Sequence, residues 1–325
     1  RSSWVTGVQT CALPIFLITG GTGFVGGHLL AYLQQAHPQA KFILTSHRPH
    51  QRQDGVEVRV VDLDSAKAVS DLLEQVSPTQ IYHLAAIANV GESFRHPNKV
   101  VENNFNLTLN LLEALRAQVK PARTLFVSSS DLYAPSLQPL SEQALISPGS
   151  PYAASKAIQD ALAISYAKSF SLPIVIARPF NHIGPGQKVG FVVADFAQMI
   201  VEAERNPQIN QLKVGNLTSA RDFTDVRDVV AAYHLLMQQG KVGEIYNVGS
   251  GKAVEIGKIL DQLLALANKS LQKVIDREKL RPVDNPTVQA DIGKIKALGW
   301  LPKIPLAQTL ADTLESSRQA FARAA

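Results

Sequence analysis

The chain has 325 residues, of which 46% are hydrophobic and 18% charged, and its formal net charge at pH 7 is +5. This length allows one large α/β unit or two smaller domains, and a single cysteine, Cys11, excludes a disulfide scaffold and a cysteine metal cluster. No apolar run reaches the roughly 18 residues of a membrane span, and the scattered basic residues argue against nucleic-acid binding.

Residues 1–14 follow no periodic pattern, and we expect them to be a non-native or disordered leader. From Ile15 onward, short apolar runs alternate with stretches of helical periodicity. The predicted strands are Ile15–Thr19, Phe42–Thr45, Val56–Val61, Ile81–Leu84, Leu125–Ser128 and Ile174–Ala177. The predicted helices are Val25–Gln35, Ala66–Val76, Val100–Gln118 and Tyr152–Phe170. This alternation predicts an α/β fold with a doubly wound parallel sheet, the Rossmann architecture.

Beyond Arg178 the alternation weakens, and only Glu244–Val248 again has the pattern of a strand. We expect residues 15–178 and 222–250 to form a dinucleotide-binding Rossmann domain. Residues 179–221 and 251–325 would then form a smaller C-terminal lobe that binds the nucleotide-sugar substrate. Ligands of open α/β sheets bind beyond the carboxyl ends of the strands, so the cleft between sheet and lobe is the expected site.

A glycine-rich loop, Gly20-Gly21-Thr22-Gly23-Phe24-Val25-Gly26, joins the first predicted strand to the first predicted helix. Glycine permits the tight turn and the close backbone approach that a pyrophosphate needs, and a helix N-terminus offers N–H groups to the anion. The alternative is an ordinary glycine-rich turn. We predict that a dinucleotide contacts the following residues of the loop: Gly20, Gly23, Phe24, Val25 and Gly26.

The second predicted strand runs into Thr45-Ser46-His47-Arg48, without the carboxylate that usually binds the adenosine ribose of NAD. Ser46 and Arg48 suit a 2′-phosphate, so NADP(H) is favoured over NAD(H). The alternative is a solvated Arg48. Asp62, with Leu63 beside it, follows the third strand and is placed to bind the adenine amino group or to cap a turn.

Tyr152 and Lys156 are four residues apart and therefore lie on one face of a predicted helix. The strand Leu125–Ser128 leads into Ser129 and Asp131, so hydroxyl, phenol and ammonium groups can converge. A free tyrosine has a pKa of about 10, so acid–base work near neutrality needs about 4 kcal/mol of preferential phenolate stabilisation, which Lys156 could supply. The alternative is a core aromatic residue.

Together these motifs resemble the extended short-chain dehydrogenase/reductases. The matching residues are the glycine-rich loop, His83-Leu84-Ala85-Ala86, Asn104, the serine run, Tyr152 and Lys156. The resemblance implies that Tyr152 is the acid–base and that Lys156 holds the nicotinamide ribose and lowers the Tyr152 pKa. It also implies that Ser129 binds the substrate carbonyl or a sugar hydroxyl, that Leu84, Ala85 and Ala86 contact cofactor, and that Asn104 contacts substrate. Leu107 replaces a usual glycine, which should affect helix packing more than chemistry.

Two longer strings, Arg178–Gln187 and Arg221–Asp228, are similar to segments of the GDP-6-deoxy-D-mannose reductases. Phe191–Phe196, Gly215–Leu217 and Arg281–Asp284 extend this similarity. It implies that Pro179 lies beside the nicotinamide, that Asn181 and Asn216 contact substrate, and that Arg221 and Arg281 face the diphosphate, which guanidinium groups bind well. The alternatives are pairing of Arg221 with Asp222 or Asp225, and a surface position for Arg281.

The resemblance implies NAD(P)H-dependent reduction of the C4 ketone of GDP-4-dehydro-6-deoxy-D-mannose to GDP-D-rhamnose, without a metal. One alternative is a GDP-mannose 4,6-dehydratase in which Asp131 is an additional base. Another nucleotide-sugar epimerase and a catalytically silent nucleotide-binding module are further alternatives. We also expect a homodimer that pairs through helices 100–118 and 152–170, without nucleic-acid or membrane partners, and a cytoplasmic location because the chain has a single cysteine.

Overall fold

The structure is a computed structural model that describes residues 13–49, 56–279 and 286–324. Nearly all of the expected leader, together with Cys11, lies outside the described residues, and so do Arg281 and residues 282–284. None of the helices within these ranges is both long enough and apolar enough to cross a membrane.

Seven parallel strands form the main sheet, in the order β10-β6-β5-β4-β1-β2-β3. Their bounds are β1 Ile15–Thr19, β2 Lys41–Ser46, β3 Glu57–Val60, β4 Gln80–His83, β5 Arg123–Val127, β6 Ile174–Pro179 and β10 Ile245–Val248. Each predicted strand overlaps its observed counterpart, and the ends differ by at most two residues. The doubly wound parallel sheet is therefore confirmed.

Helices cover both faces of this sheet. Their bounds are α1 Phe24–Ala36, α2 Ala66–Val76, α3 Val90–Arg95, α4 Pro97–Arg116, α5 Pro151–Ser169 and α7 Val226–Gln239. In β1, Phe16 and Ile18 pack with α1 and α7, whereas Leu17 packs with α2, α4 and α5. Successive strand side chains point to opposite faces, so a strand buried on both sides is apolar throughout.

A second core lies after β6, among Ile200, Leu212, Phe223, Leu260 and Leu310. Its helices are α6 Val192–Arg205, α8 Ile256–Ala265 and α10 Leu306–Ala324. Its strands are β7 Asn181–Ile183, β8 Gln211–Val214, β9 Ala220–Asp225, β11 Ala253–Glu255, β12 Gln272–Ile275 and β13 Thr287–Val288. The expectation of only one further strand beyond Arg178 was wrong, because these strands are short and pair with distant segments, which leaves no local period.

The chain crosses between the two cores more than once. β9 pairs with β7, β11 and β13, so the expected boundary at residue 222 falls inside a strand of the smaller sheets. The short helix α9, Gly293–Lys296, returns to the main sheet, where Ile295 and Trp300 pack with α1 and α7. The division into two domains remains a prediction.

Candidate active site

The glycine-rich loop is packed too closely for larger residues at two positions. Gly20 has φ +66°, and a Cβ atom there would lie 3.0 Å from the backbone of Ala85. A Cβ on Gly26 would lie 2.6 Å from the backbone of Gly21. Since both contacts are with main-chain atoms, side chains cannot be accommodated without moving the loop. The sequence therefore dictates a turn that lies directly against the end of β4.

The same loop opens the first helix. The Gly23 N–H donates to the Gly20 oxygen at 3.0 Å, and α1 begins at the next residue, Phe24, without a side-chain cap. The N–H groups of the first helical turn have no partners within the helix, which makes this end a favourable place for an anion. The glycines leave no side chain between the turn and a ligand, and the following helix has no side-chain cap. These two features fit the pyrophosphate of a dinucleotide.

The rings next to this loop connect it to the smaller lobe. Phe24 stacks on His182 of β7, with ring centroids 6.3 Å apart and planes 11° apart. His28, one turn along α1, makes a 2.8 Å hydrogen bond between Nε2 and the Pro185 oxygen. Val25 is half-buried against the core beneath α1 and α7. Cofactor loop and lobe therefore meet beside Asn181, which is exposed in β7.

The residues expected around the adenosine lie at the ends of β2 and β3. The Arg48 side chain is exposed, and its backbone N–H donates to Ser46 Oγ at 3.2 Å. Asp62 is also exposed and accepts the Asp64 N–H at 3.0 Å, so it does cap a turn. Leu63 packs into the core formed with α2, α4 and α5. The assignment of Ser46, Arg48 and Asp62 to the adenosine stays a prediction.

The segment after β4 lies against the glycine-rich loop through a buried histidine. His83 Nδ1 and Thr19 Oγ1 are 2.9 Å apart, and the Ala85 N–H donates to the same Thr19 oxygen at 3.3 Å. Burial, with the nearby charge of Lys156 adding to it, lowers the pKa of His83 to about 3. His83 is therefore neutral and positions the loop, and Leu84, Ala85 and Ala86 follow it at the Gly20 turn.

Asn104 has a different role from the expected contact with substrate. Its side chain is 2% exposed, and Oδ1 accepts the Ile87 N–H at 2.8 Å. Nδ2 donates to the Ile87 oxygen at 3.2 Å and to Ser155 Oγ at 2.9 Å. Because protein groups already use the amide, we correct its assignment: Asn104 ties the loop after β4 to α5.

Ser129 and Tyr152 are brought together from different elements. Ser129 follows β5, and its Oγ accepts the Asp131 N–H at 3.1 Å at the start of a 3-10 turn. Tyr152 lies in the first turn of α5, which Ser150 caps by accepting the Ala153 N–H at 3.1 Å. The Ser129 side chain acts on the Tyr152 phenol and lowers its pKa, so the two side chains lie close together. The hydroxyl and phenol groups thus share one buried site.

The electrostatics of Tyr152 differ from the expectation. Burial raises its pKa above the ordinary value, the negative charge of Asp131 raises it further, and the hydrogen bond from Ser129 opposes both effects only partly. Lys156 was expected to lower the Tyr152 pKa, but in this structure burial outweighs any such influence. The phenol is therefore protonated at neutral pH and is poised to donate a proton.

Lys156 lies one turn after Tyr152 on the same face of α5 and is only 4% exposed. Its ammonium donates to the main-chain oxygen of Val127, at the end of β5, at 2.8 Å. Burial lowers the pKa of Lys156 to about 8, and the charge of Asp160 opposes that shift. A second acceptor, Gln159, was not foreseen from the sequence, because no motif marks it.

The string that begins at Arg178 is largely structural. Arg178 is 1% exposed, pairs with Asp160 at 2.7 Å and donates to the Tyr133 hydroxyl at 2.9 Å. Pro179 ends β6 and is buried. The segment Arg178–Gln187 therefore places Asn181 at an exposed position in β7. Its buried Arg178 stabilises α5 through the ion pair with Asp160. The nicotinamide contact expected of Pro179 stays a prediction.

The second string supplies anchors as well as Arg221. The Asp222 carboxylate accepts the N–H groups of Ser250 and Gly251 at 2.7 and 2.9 Å. Asp225 caps α7 by accepting the Arg227 N–H at 2.8 Å. Arg221 lies in β9 and is half-buried, with Nη1 donating to the Ala220 oxygen at 2.8 Å. Asp222 and Asp225 thus stabilise the backbone segments that adjoin β9.

The assignment of Asn216 and Arg281 to the substrate stays a prediction. Asn216 Oδ1 accepts the Thr218 N–H at 3.0 Å and the Thr218 hydroxyl at 2.8 Å, which shapes the loop between β8 and β9. Arg281 lies outside the described residues. Within the described ranges, no group of three or more His, Cys, Asp or Glu side chains is arranged to hold a metal ion.

Comparison with known proteins gives a consistent result. The family model described as GDP-mannose 4,6 dehydratase matches residues 17–313. The chain is 35% identical over 301 residues to the GDP-6-deoxy-D-mannose reductase of Pseudomonas aeruginosa, covering 91% of this chain and 95% of that protein.

Solved structures agree with the sequence comparison. The protein RMD of Pseudomonas aeruginosa, complexed with NADPH, superposes with a TM-score of 0.83 at 34% identity, covering 94% of this chain and 99% of the other. The UDP-glucose 4-epimerase of Thermus thermophilus, complexed with NAD, superposes with a TM-score of 0.82 at 28% identity, with the same coverage of 94% and 99%. The similarity thus includes neighbours solved with either dinucleotide.

Proposed function

The chain belongs to the GDP-mannose 4,6 dehydratase family, and from this premise we propose that it reduces the C4 ketone of GDP-4-dehydro-6-deoxy-D-mannose to GDP-D-rhamnose. The observation that carries this proposal is the convergence of Ser129, Tyr152 and Lys156 in one buried site beside the glycine-rich loop. The 35% identity to a reductase of that name, over 95% of its length, supports the choice of substrate.

When bound, a nicotinamide would supply the hydride. Tyr152 gives its proton to the oxygen of the former ketone, and its raised pKa ensures that the proton is present at neutral pH. Ser129, close to the same phenol, holds the carbonyl oxygen while negative charge develops on it. The ammonium of Lys156, fixed by the Val127 oxygen, then stabilises the phenolate that remains.

The cofactor is a nicotinamide dinucleotide, and we propose that it is NADP(H) rather than NAD(H). The residues after β2 include no carboxylate between Thr45 and Pro49. Ser46 and the exposed guanidinium of Arg48 are there instead, and they can bind a 2′-phosphate. The neighbour complexed with NADPH supports this choice.

On the substrate side, we propose that Asn181 and Asn216 contact the sugar nucleotide and that Arg221 and Arg281 bind its diphosphate. Asn181 is exposed next to the ring pair that joins lobe and cofactor loop. Paired guanidinium groups suit a diphosphate because each can donate two parallel hydrogen bonds. The substrate thus bridges the two cores of the chain.

A GDP-mannose 4,6-dehydratase is the second candidate, because Asp131 lies close enough to Tyr152 for its charge to raise the phenol pKa. A carboxylate at that place could remove a proton from the neighbouring sugar carbon. We assign the reductase first because the 35% identity to a GDP-6-deoxy-D-mannose reductase extends over 95% of that protein. Epimerisation of another nucleotide sugar and binding without turnover are the remaining alternatives.

We further propose that the protein is a homodimer located in the cytoplasm. Helices α4 and α5 pack side by side on one face of the main sheet, and Ile158 and Phe170 are partly exposed there. The single cysteine supports a reducing compartment. Analytical ultracentrifugation of the purified protein tests the dimer.

The decisive experiment follows nicotinamide absorbance when the purified protein meets GDP-4-dehydro-6-deoxy-D-mannose with NADPH or NADH. We expect stoichiometric oxidation, faster with NADPH, and loss of most turnover in Tyr152→Phe with retained cofactor binding. GDP-mannose alone serves as the parallel substrate. A keto sugar formed from GDP-mannose without added cofactor, together with no NADPH oxidation, would instead establish the dehydratase. Unchanged behaviour of Tyr152→Phe in every assay would favour a silent binding module.

A further inference from the structure

The ammonium of Lys156 is held by two acceptors that belong to different elements. Its Nζ donates to the main-chain oxygen of Val127 and to Oε1 of Gln159, each at 2.8 Å. Gln159 lies one turn further along α5, and its Nε2 donates to the same Val127 oxygen at 3.3 Å. Three hydrogen bonds therefore form a closed triangle between the lysine, the glutamine and the end of β5.

This triangle is sealed from solvent, since Gln159 is 2% and Lys156 4% exposed. An ammonium group has three hydrogens, and two of them are used here. The third has no hydrogen-bond partner among the described residues. Val127 lies two residues before Ser129, so the triangle also sets the position of the lysine relative to the strand end that carries the serine.

We propose that Gln159 is a positioning residue for Lys156, whose neutral amide aims the third ammonium hydrogen at the nicotinamide ribose and Tyr152 without reducing the positive charge of the lysine. The inference rests on the proposed reductase function. No part of the Tyr152–Lys156 motif identifies Gln159, because a residue three positions after the lysine has to be read from the folded structure.

The charges around Lys156 explain why an amide is suitable there. Asp160, on the same helix, acts on Lys156, but its carboxylate is paired with Arg178 at 2.7 Å. His83, facing from β4, is neutral because burial lowers its pKa to about 3. Tyr152 is protonated for the reason given above, and Asp131 acts on it from the turn after β5. A carboxylate at position 159 would place a full negative charge against the ammonium.

The test measures the ammonium of Lys156 directly, by NMR titration of 13C-lysine-labelled protein without cofactor, with Lys156→Met as the blank. Burial lowers the pKa of Lys156 to about 8. Gln159→Glu keeps the shape of the side chain and adds a negative charge against the ammonium, so Lys156 should titrate about one pH unit higher. Gln35→Glu adds the same charge at an exposed position in the last turn of α1, and it should leave the titration unchanged.

A second variant tests the aim of the ammonium. Gln159→Leu removes the acceptor, and we expect NADPH affinity, measured by fluorescence titration, to fall about tenfold, because a ribose hydrogen bond to a charged donor is lost. A Lys156 titration that does not move in Gln159→Glu would overturn the proposal. So would a Gln159→Leu protein that is less stable but binds NADPH as tightly as the wild type.

These readouts need no sugar substrate. If the protein reduces no keto sugar and yet both variants behave as expected, the function is wrong and the positioning role stands. If the wild type oxidises NADPH normally and the variants match it, the positioning role fails alone. Should Gln159→Leu not fold, the isosteric Gln159→Glu still decides the outcome.

Discussion

Arg178 and Asp160 form a buried ion pair near the candidate active site, and its geometry predicts how much free energy of unfolding is lost when the pair is broken. Arg178 Nε lies 2.7 Å from Asp160 Oδ2, and both side chains are 2% exposed. Arg178 Nη1 also donates to the Tyr133 hydroxyl at 2.9 Å, and its guanidinium carbon lies 5.0 Å from the centre of that ring. Replacing Asp160 with asparagine keeps the shape but leaves the guanidinium charge without a counter-ion.

Breaking a buried pair by removing one partner costs about 3–5 kcal/mol, because the remaining charge stays in a poorly solvated place. We therefore expect Asp160→Asn to lower the free energy of unfolding by that amount. The double variant Asp160→Leu with Arg178→Met removes both charges and should cost less than the single one. Asp71→Asn breaks the exposed 2.6 Å pair with Lys67 and should cost less than about 0.5 kcal/mol.

Urea unfolding followed by far-ultraviolet circular dichroism gives the free energies by linear extrapolation. With the single variants Asp160→Leu and Arg178→Met, the double variant forms a double-mutant cycle that separates the pair energy from the effects of each single change. An Asp160→Asn variant that costs no more than Asp71→Asn, or a double variant that loses as much as Asp160→Leu and Arg178→Met together, would contradict this expectation. Either result would mean that water or a rearranged Tyr133 already compensates the guanidinium.

Two further predictions concern the loops that meet beside Tyr152. His83 has a pKa of about 3 in the folded chain and about 6.5 in the unfolded chain, so the unfolded state binds more protons between these two pH values. The free energy of unfolding should therefore fall as the pH drops from 6.5 towards 3. We expect His83→Gln to weaken this pH dependence in urea titrations from pH 7 to 4. Gly26→Ala places a Cβ 2.6 Å from the Gly21 backbone, so NADPH affinity in fluorescence titration should fall at least tenfold, whereas Gly27→Ala, with open space around its Cβ, should bind normally. Equal affinities in the two alanine variants, or an unchanged acid dependence in His83→Gln, would contradict these expectations.

The parts of the fold that could be predicted are those whose signal is local. The strand Ile15–Thr19 and the helix Ala66–Val76 were predicted with the bounds that the structure shows, because a continuous apolar run and a 3.6-residue period each lie within a few neighbouring residues. The smaller lobe could not be predicted in this way. β13 has only two residues, and β9 is surrounded by three strands from distant parts of the chain.

The same difference between local signals and contacts with distant residues applies to the candidate site. Spacing alone placed Tyr152 and Lys156 on one helical face, and the strand order brought Ser129 beside them. Spacing could not give the partners of buried amides, so Asn104 was assigned to substrate although its three hydrogen bonds are internal. Gln159 was missed for the same reason, since a glutamine on a helix has no periodic or motif signal that reveals its neighbours.

The environment of Tyr152 bears on the direction of the reaction. Reduction of a ketone needs a group that holds a proton until the oxygen becomes basic, whereas oxidation of a sugar hydroxyl, with which a dehydratase would have to begin, needs a group that has already lost its proton. Burial and the charge of Asp131 both disfavour the phenolate, and only the hydrogen bond from Ser129 favours it. The positive charge of Lys156 then acts chiefly after the transfer, when the phenolate exists. Asp131, which would be the base of a dehydratase, therefore disfavours the deprotonated Tyr152 with which that reaction would have to begin.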